Sequence, residues 1–248
     1  MSDRGVCMSV YAVSDLHGCK TEFDRLLNRI SFTDYDEMYI IGDVGDRGKE
    51  PIPLFQEILS RPNMHLIFGN HDQWLRRYIA ELIEEKRNPG SIYMNTDLFN
   101  WLHNNGGLQT MDQFLSLDIT ECYDLQYRLE NPEFYKYVEV NGQRFLLVHA
   151  GLGSYCFAGI HPAEVPVDEL IWSHIGLDDN PFPDTTMVVG HMPTFFYGPE
   201  YDGQIIWREK SRLMHIDCGC VYGRALGCVR LDDLQFFYEP STYPYIKF

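Results

Sequence analysis

Short apolar runs alternate with longer amphipathic stretches over the first third of the chain, and each run ends on polar residues. Met8-Ser9-Val10-Tyr11-Ala12-Val13 predicts a strand ending at Ser14-Asp15-Leu16-His17-Gly18. Phe23, Leu26, Leu27 and Ile30 then share one helix face. Met38-Tyr39-Ile40-Ile41 predicts a second, buried strand, which runs into Gly42-Asp43-Val44-Gly45-Asp46-Arg47-Gly48. Pro51 is placed to open a helix with Ile52, Phe55, Ile58 and Leu59 on one side, stopping near Pro62. A third strand, Met64 to Phe68, ends at Gly69-Asn70-His71-Asp72, and a helix follows with Trp74, Leu75, Tyr78, Ile79, Leu82 and Ile83 on one face. Strand and helix in alternation predict an α/β protein with a parallel sheet. All three polar clusters fall at the same end of their strands, which makes one pocket.

From about residue 88 to 135 the pattern breaks. Leu98 to His103 and Thr110 to Leu117 read as short helices around Asn104-Asn105-Gly106-Gly107, a helical insertion or cap within a single domain spanning 1–248, since no linker-like composition bounds it. Asn141-Gly142 between Lys136–Val140 and Arg144–Val148 predicts a hairpin whose second strand ends at His149-Ala150-Gly151. Met187-Val188-Val189 ends likewise at Gly190-His191. The remainder is rich in strands: Gln204–Trp207, Arg212–Ile216, Ala225–Leu231 and Gln235–Tyr238.

A hydrophobic fraction of 45% provides for a sizeable core, and no run reaches the length of a membrane span. The first residues, Met1 to Cys7, carry no apolar stretch suited to a signal peptide. Seven scattered cysteines are an odd number and not a disulfide framework, which points to a reducing cytoplasm. The formal charge of −16 argues against nucleic acid or an anionic membrane as partner. A phosphate substrate would then need positive charge concentrated at its site, and bound metal ions are the usual local source.

Five strand ends deliver Asp15 and His17, then Asp43, Asn70, His149 and His191. Asp15 and His17, at i and i+2, point the same way on an extended backbone. Carboxylate, imidazole and amide oxygen together suit Mn²⁺, Fe²⁺ or Zn²⁺ better than Ca²⁺. Six ligands exceed one tetrahedral site but suffice for two metals sharing a carboxylate, an arrangement that clamps attacking and leaving oxygens in phosphoryl transfer. His149 or His191 alone could be an ordinary core histidine. Their joint occurrence with the other ligand types, each just after a strand and beside Gly or Ala, is hard to obtain by packing.

Taken in order, Asp15-Leu16-His17-Gly18, the Gly42–Gly48 heptad, Gly69-Asn70-His71-Asp72, His149-Ala150-Gly151 and Gly190-His191 resemble the PPP family of metallophosphatases. That family includes serine/threonine protein phosphatases and symmetrical diadenosine tetraphosphatases. Trp101-Leu102-His103-Asn104-Asn105-Gly106-Gly107 and Ile216-Asp217-Cys218-Gly219-Cys220 resemble its compact bacterial and phage-type branch. The resemblance implies two facing mixed sheets flanked by helices, the calcineurin-like metallophosphoesterase architecture, with two divalent metals, Mn²⁺ foremost. It implies that Asp15, His17 and Asp43 hold one metal, that Asp43 bridges to the second, and that Asn70, His149 and His191 complete that one. A bridging hydroxide would attack phosphorus, His71 would protonate the leaving oxygen, and Asp46 would orient His71. Arg47, Asn70 and His71 would grip the phosphate. The substrate it implies first is a phosphorylated protein or peptide, with small phosphate esters also accepted. Alternatives are a symmetrical bis(5'-nucleosyl)-tetraphosphatase and a non-catalytic phosphate-binding scaffold; a phosphodiesterase or nuclease is disfavoured by Asp46-Arg47 and by the net charge.

Three departures from the family pattern bear on this reading. Asp72 stands where protein phosphatases usually carry Glu, as in the dinucleotide hydrolases. Gly45 stands where Val is common, which predicts looser packing with the polar residues kept in place. No second phosphate-binding arginine is evident: His174 follows Ile171-Trp172-Ser173 where phage-type enzymes have Arg nearby, and Arg208 and Arg212 read as solvated strand-edge charges. Cys218-Gly219-Cys220 reads as small buried side chains in the last sheet, both sulfurs on one face by strand alternation. The aromatic tail from Phe236 to Phe248 reads as core and edge packing.

Overall fold

The computed structural model describes residues 8–156 and 160–247, so the N-terminal reading over Met1 to Cys7 and the last residue of the tail, Phe248, lie outside the described residues. Strands β1 (Val10–Val13), β2 (Glu37–Ile41) and β3 (Met64–Ile67) alternate with helices α1 (Lys20–Arg29), α2 (Pro51–Ser60) and α3 (Asn70–Arg87). All three strands are parallel. Next come α4 (Thr96–Phe99), a π-helical turn (Asn100–Asn104), α5 (Leu108–Ser116) and α6 (Ile119–Arg128). The hairpin of β4 (Tyr135–Val140) and β5 (Gln143–Val148) is followed by α7 (Val167–Trp172) and β6 (Thr185–Val189). The chain closes with β7 (Ile206–Arg208), β8 (Leu213–His215), β9 (Ala225–Arg230) and β10 (Gln235–Pro240).

Among the described residues ten strands form two five-stranded mixed sheets, ordered β10-β9-β1-β2-β3 and β4-β5-β6-β8-β7. The period of two explains the layering. Val10 and Ala12 face inward, where they meet Phe145 and Leu147 of β5, Val188 of β6 and Met214 of β8 between the sheets. Tyr11 and Val13 face outward into a second core built on α1, α2 and α3. On the far side of the other sheet, Leu146, Val148, Met187 and Val189 pack against Leu170 and Ile171 of α7. Strands buried on both faces need near-continuous apolar sequence, which is what β1, β2 and β6 carry.

Leu98, Trp101, Leu102, Phe114, Cys122 and Leu125, all from residues 96–128, lie in the same apolar core as α2 and α3. Helix α6 was not foreseen in the sequence; only Cys122 and Leu125 of it are buried, too few to show a periodicity. Its start was nevertheless legible, since Glu121 accepts the backbone N–H of Asp118 in a capping box. The short α7, with Leu170 and Ile171 buried, gave no period either.

Cys218-Gly219-Cys220 departs from expectation. Gly219 has a left-handed φ of 73° and Cys220 begins a 3-10 turn, so the strand alternation does not hold there. Cys218 points between the sheets and Cys220 into the helix-side core, where it meets Cys19 and Glu22. The tail follows β10 as an edge: Thr242 donates its N–H and O–H to Glu22, and Tyr243 Oη accepts the Lys49 N–H.

Candidate metal centre

The carboxyl ends of the parallel strands from both sheets converge. Loops after β1 and β2 are laced together: the N–H groups of Asp15, His17 and Gly18 donate to the carbonyls of Gly42, Asp43 and Val44 at 2.8–3.0 Å. The loop after β5 is tied to β2 by His149, whose Nδ1–H donates to the Ile41 carbonyl at 2.9 Å. The loop after β6 is tied to β1, with the His191 N–H donating to both Asp15 oxygens at 3.2 and 3.0 Å. Asn70 and His71 lie one step further along than a strand end, in the first turn of α3.

Asp15 and His17 do not sit on extended backbone as the sequence suggested. Asp15, His17, Asp43, Asp46, Arg47 and His191 all have positive φ, between 41° and 68°. Left-handed turns aim these side chains inward, and such strain in non-glycine residues gathers at functional sites. Gly69 is required for a different reason: a Cβ there would lie 2.2 Å from Asp43 Oδ1 and 2.9 Å from the His149 ring. At Gly45 the expected looseness is absent, because a Cβ would press on the Phe55 ring at 3.0 Å; the ring fills the space a side chain would take.

Two ligand groups share one carboxylate. In His17, Asp43 and His71 the ligating atoms lie within 4.8 Å of one another, as they do in Asp43, His149 and His191. Asp15 is not in either group; its carboxylate is buried beside them against the His191 N–H. Asn70 Oδ1 is 3.1 Å from His149 Nε2. Because the Nδ1 atoms of His17 and His149 donate to the Gly45 and Ile41 carbonyls, their Nε2 atoms face the centre. His149 Nε2 then confronts two oxygens, Asp43 Oδ1 at 3.4 Å and Asn70 Oδ1 at 3.1 Å, and His191 Nε2 is buried with no partner. A cation between these atoms satisfies all of them, so these residues fit a divalent ion, and His17, Asp43 and His71 form a second group of ligating atoms around the same carboxylate.

Charge leads to the same fit. Asp15, Asp43, Asp46, Asp72 and Asp217 are all buried. Burial, with the Asp43 charge, pushes Asp15 up to about 7 against the pull of His149. Burial and Asp43 likewise push Asp72 up to about 7, although it accepts the N–H groups of Asp43, Val44 and Gly69 at 2.8–2.9 Å. Asp217 is driven well above the carboxylate range by burial and by Asp15. Asp43 would rise by burial, but His149 and His71 hold it well below that range. Burial lowers His149, and Asp43 and Asp15 more than reverse this, to about 10. Divalent cations supply the countercharge this cluster calls for.

Beside the ligands lies a directed network. His71 Nδ1–H donates to Asp46 Oδ2 at 2.6 Å. Asp46 also accepts from Trp101 Nε1 at 2.7 Å and from the Thr110 hydroxyl, while its own N–H donates to Thr110 Oγ1 at 2.9 Å. Arg47 donates from Nη1 to His17 Nε2 and from Nη2 to His71 Nε2, the latter at 2.9 Å. Its backbone N–H is held by the Gly106 carbonyl. His174 is exposed, its ring 5.5 Å from that of His191, whereas Arg208 pairs with Asp178 and Arg212 precedes β8, at the far end of that strand. Thr110, Asp217 and the role of Trp101 were missed in the sequence. Trp101 stood in a recognised segment, but Thr110 is one of many threonines until the fold sets it against Asp46.

Comparison with known proteins gives the family of the chain. Residues 8–218 match the family model "Calcineurin-like phosphoesterase". The symmetrical bis(5'-nucleosyl)-tetraphosphatase of Haemophilus ducreyi is 40% identical over 82 residues, 32% of this chain and 29% of that protein. The protein of the same name from Proteus mirabilis is 22% identical over 94% of this chain and 98% of its own length. A candidate diadenosine tetraphosphatase structure superposes with TM-score 0.64 at 18% identity, covering 96% and 95% of the two chains. A serine/threonine phosphatase from Saccharomyces cerevisiae gives 0.54 at 17%, covering 99% and 83%. At such identities the structural matches speak for the fold. Together with the family match over most of the chain, the shared carboxylate between two ligand groups leads to one conclusion: the chain belongs to the calcineurin-like phosphoesterase family and is a metallophosphoesterase.

Proposed function

We propose that this protein hydrolyses dinucleoside polyphosphates at a dinuclear metal centre, cleaving diadenosine tetraphosphate symmetrically into two molecules of ADP. The whole-length relative from Proteus mirabilis, with the symmetrical tetraphosphatase name, is the observation that carries this substrate. Asp72 in the third motif supports it. Both support the dinucleotide over the phosphoprotein that the motifs first suggested.

The proposed ligands are Asp15, His17 and Asp43 for one ion, and Asp43, Asn70, His149 and His191 for the other. Two divalent ions bound there supply positive charge for the phosphate oxygens and lower the pKa of a coordinated water. The chain's own groups do the rest. Arg47 swings from the two imidazoles to the phosphate, exchanging neutral acceptors for charged ones. Its departure frees His71 Nε2, which would take a proton from solvent and pass it to the departing ADP oxygen as a water oxygen bonds to phosphorus and the P–O bond breaks. Asp46, fixed by Trp101 and Thr110, keeps the His71 ring aimed.

The experiment is a substrate panel on metal-depleted protein reconstituted with Mn²⁺. Diadenosine tetraphosphate should yield ADP alone, with kcat/KM well above that for a phosphoserine peptide. ATP plus AMP as products, or preference for the peptide, overturns the proposal.

A further inference from the structure

Trp172, the last residue of α7, is 42% exposed, although tryptophan is among the residues that bury most surface. It stands at the metal centre. Its ring meets His191 edge-on, centroids 6.2 Å apart at 86°, and on the other side meets Trp74 at 4.9 Å and 77°. Trp74 in turn meets His71 edge-on at 5.2 Å. The Trp172–Trp74 pair thus runs from a proposed metal ligand, which Trp172 meets, to the proposed general acid, which Trp74 meets. Its position is fixed from behind: the Ala150 N–H, next to His149, donates to the Leu170 carbonyl at 2.8 Å, and Leu170 and Ile171 are buried.

A rigid aromatic ring held by edge contacts, with much of its surface open to solvent, is suited to stacking. A group attached to a phosphate at the proposed metal centre would be carried to it. A net charge of −16 disfavours a long polyanion as that ligand, and a small flat group close to the reacting phosphorus suits the ring. We propose that Trp172 is the platform on which a purine base of the nucleotide substrate stacks, a specificity element beside the metal centre. This rests on the dinucleotide reading above; His174, also exposed, sets its ring near that of His191, 5.5 Å between centroids.

The test uses Mn²⁺-loaded protein and the variants Trp172→Ala and Trp172→Phe. Stacking on one base is strong enough that Trp172→Ala should raise KM for diadenosine tetraphosphate about tenfold more than KM for phosphoserine, which lacks a base. Trp172→Phe should recover most of that difference. ADP should quench tryptophan fluorescence in the wild type, where pyrophosphate does not, and the quench should vanish in Trp172→Phe. If diadenosine tetraphosphate is no substrate yet ADP quenches through Trp172, the substrate reading fails and the stacking site stands. Hydrolysis of the dinucleotide with equal KM changes for the two substrates, or an ADP quench that survives in Trp172→Phe, overturns the stacking site and leaves the substrate reading intact.

Discussion

His215 ends β8 with no exposed surface, and burial pushes its imidazole down to about 4. The unfolded chain, titrating near 6.5, therefore holds one more proton than the folded chain between pH 6.5 and about 4. Stability falls as pH drops through that window, with His215 contributing about 1.4 kcal/mol per pH unit at most. Urea unfolding of wild type and His215→Leu at pH 7 and pH 5 should show a smaller acid loss in the variant. Equal losses would mean that His215 does not titrate with unfolding. At the same scale, the left-handed residues of the centre cost backbone energy that the surrounding hydrogen bonds must offset.

Among the elements, α5 and the π-helical turn matter beyond packing. Thr110 from α5 and Trp101 from the turn both bond Asp46, and π-helical turns often mark such sites. Thr110→Val keeps the shape but removes the hydroxyl from Asp46 in a buried place. The variant should lose on the order of 1–3 kcal/mol of stability and about tenfold in kcat, with metal content unchanged. Metal analysis alongside steady-state kinetics checks this. Wild-type kcat in Thr110→Val would show that His71 is held without the α5 contact. The sequence displayed most elements well, because amphipathic periods in α1, α2 and α3 are strong. It concealed α6 and α7, whose few buried positions leave no repeating signal.

For the molecule as a whole, the buried carboxylates lead to the expectation that bound divalent ions stabilise the fold. A chelator should lower Tm and Mn²⁺ should restore it. An ion at a hundredfold excess over its Kd contributes about 2.7 kcal/mol per site, worth roughly 5 °C or more in a chain this long. Asp43→Asn should erase most of that difference, because one carboxylate serves both ligand groups. A chelator-independent Tm in wild type would mean that the carboxylates are neutralised by protons instead.

The residue types of the site, and their order at the ends of apolar strands, were determined by the sequence alone. A side chain must follow a strand closely to be carried to the sheet edge, and that spacing is local, so the convergence of Asp15, His17, Asp43, Asn70, His149 and His191 as a candidate ligand set could be read off the chain. Local spacing also set the hairpin at Asn141-Gly142 and the three parallel strands. Which ligands group together was decided only by the packing of two sheets, which brings β5 and β6 against β1 and β2 and makes Asp43 common to both groups. Thr110 and Trp172 belong to that second kind. Each owes its place to contacts with residues far away in the chain, and no local pattern encodes such contacts.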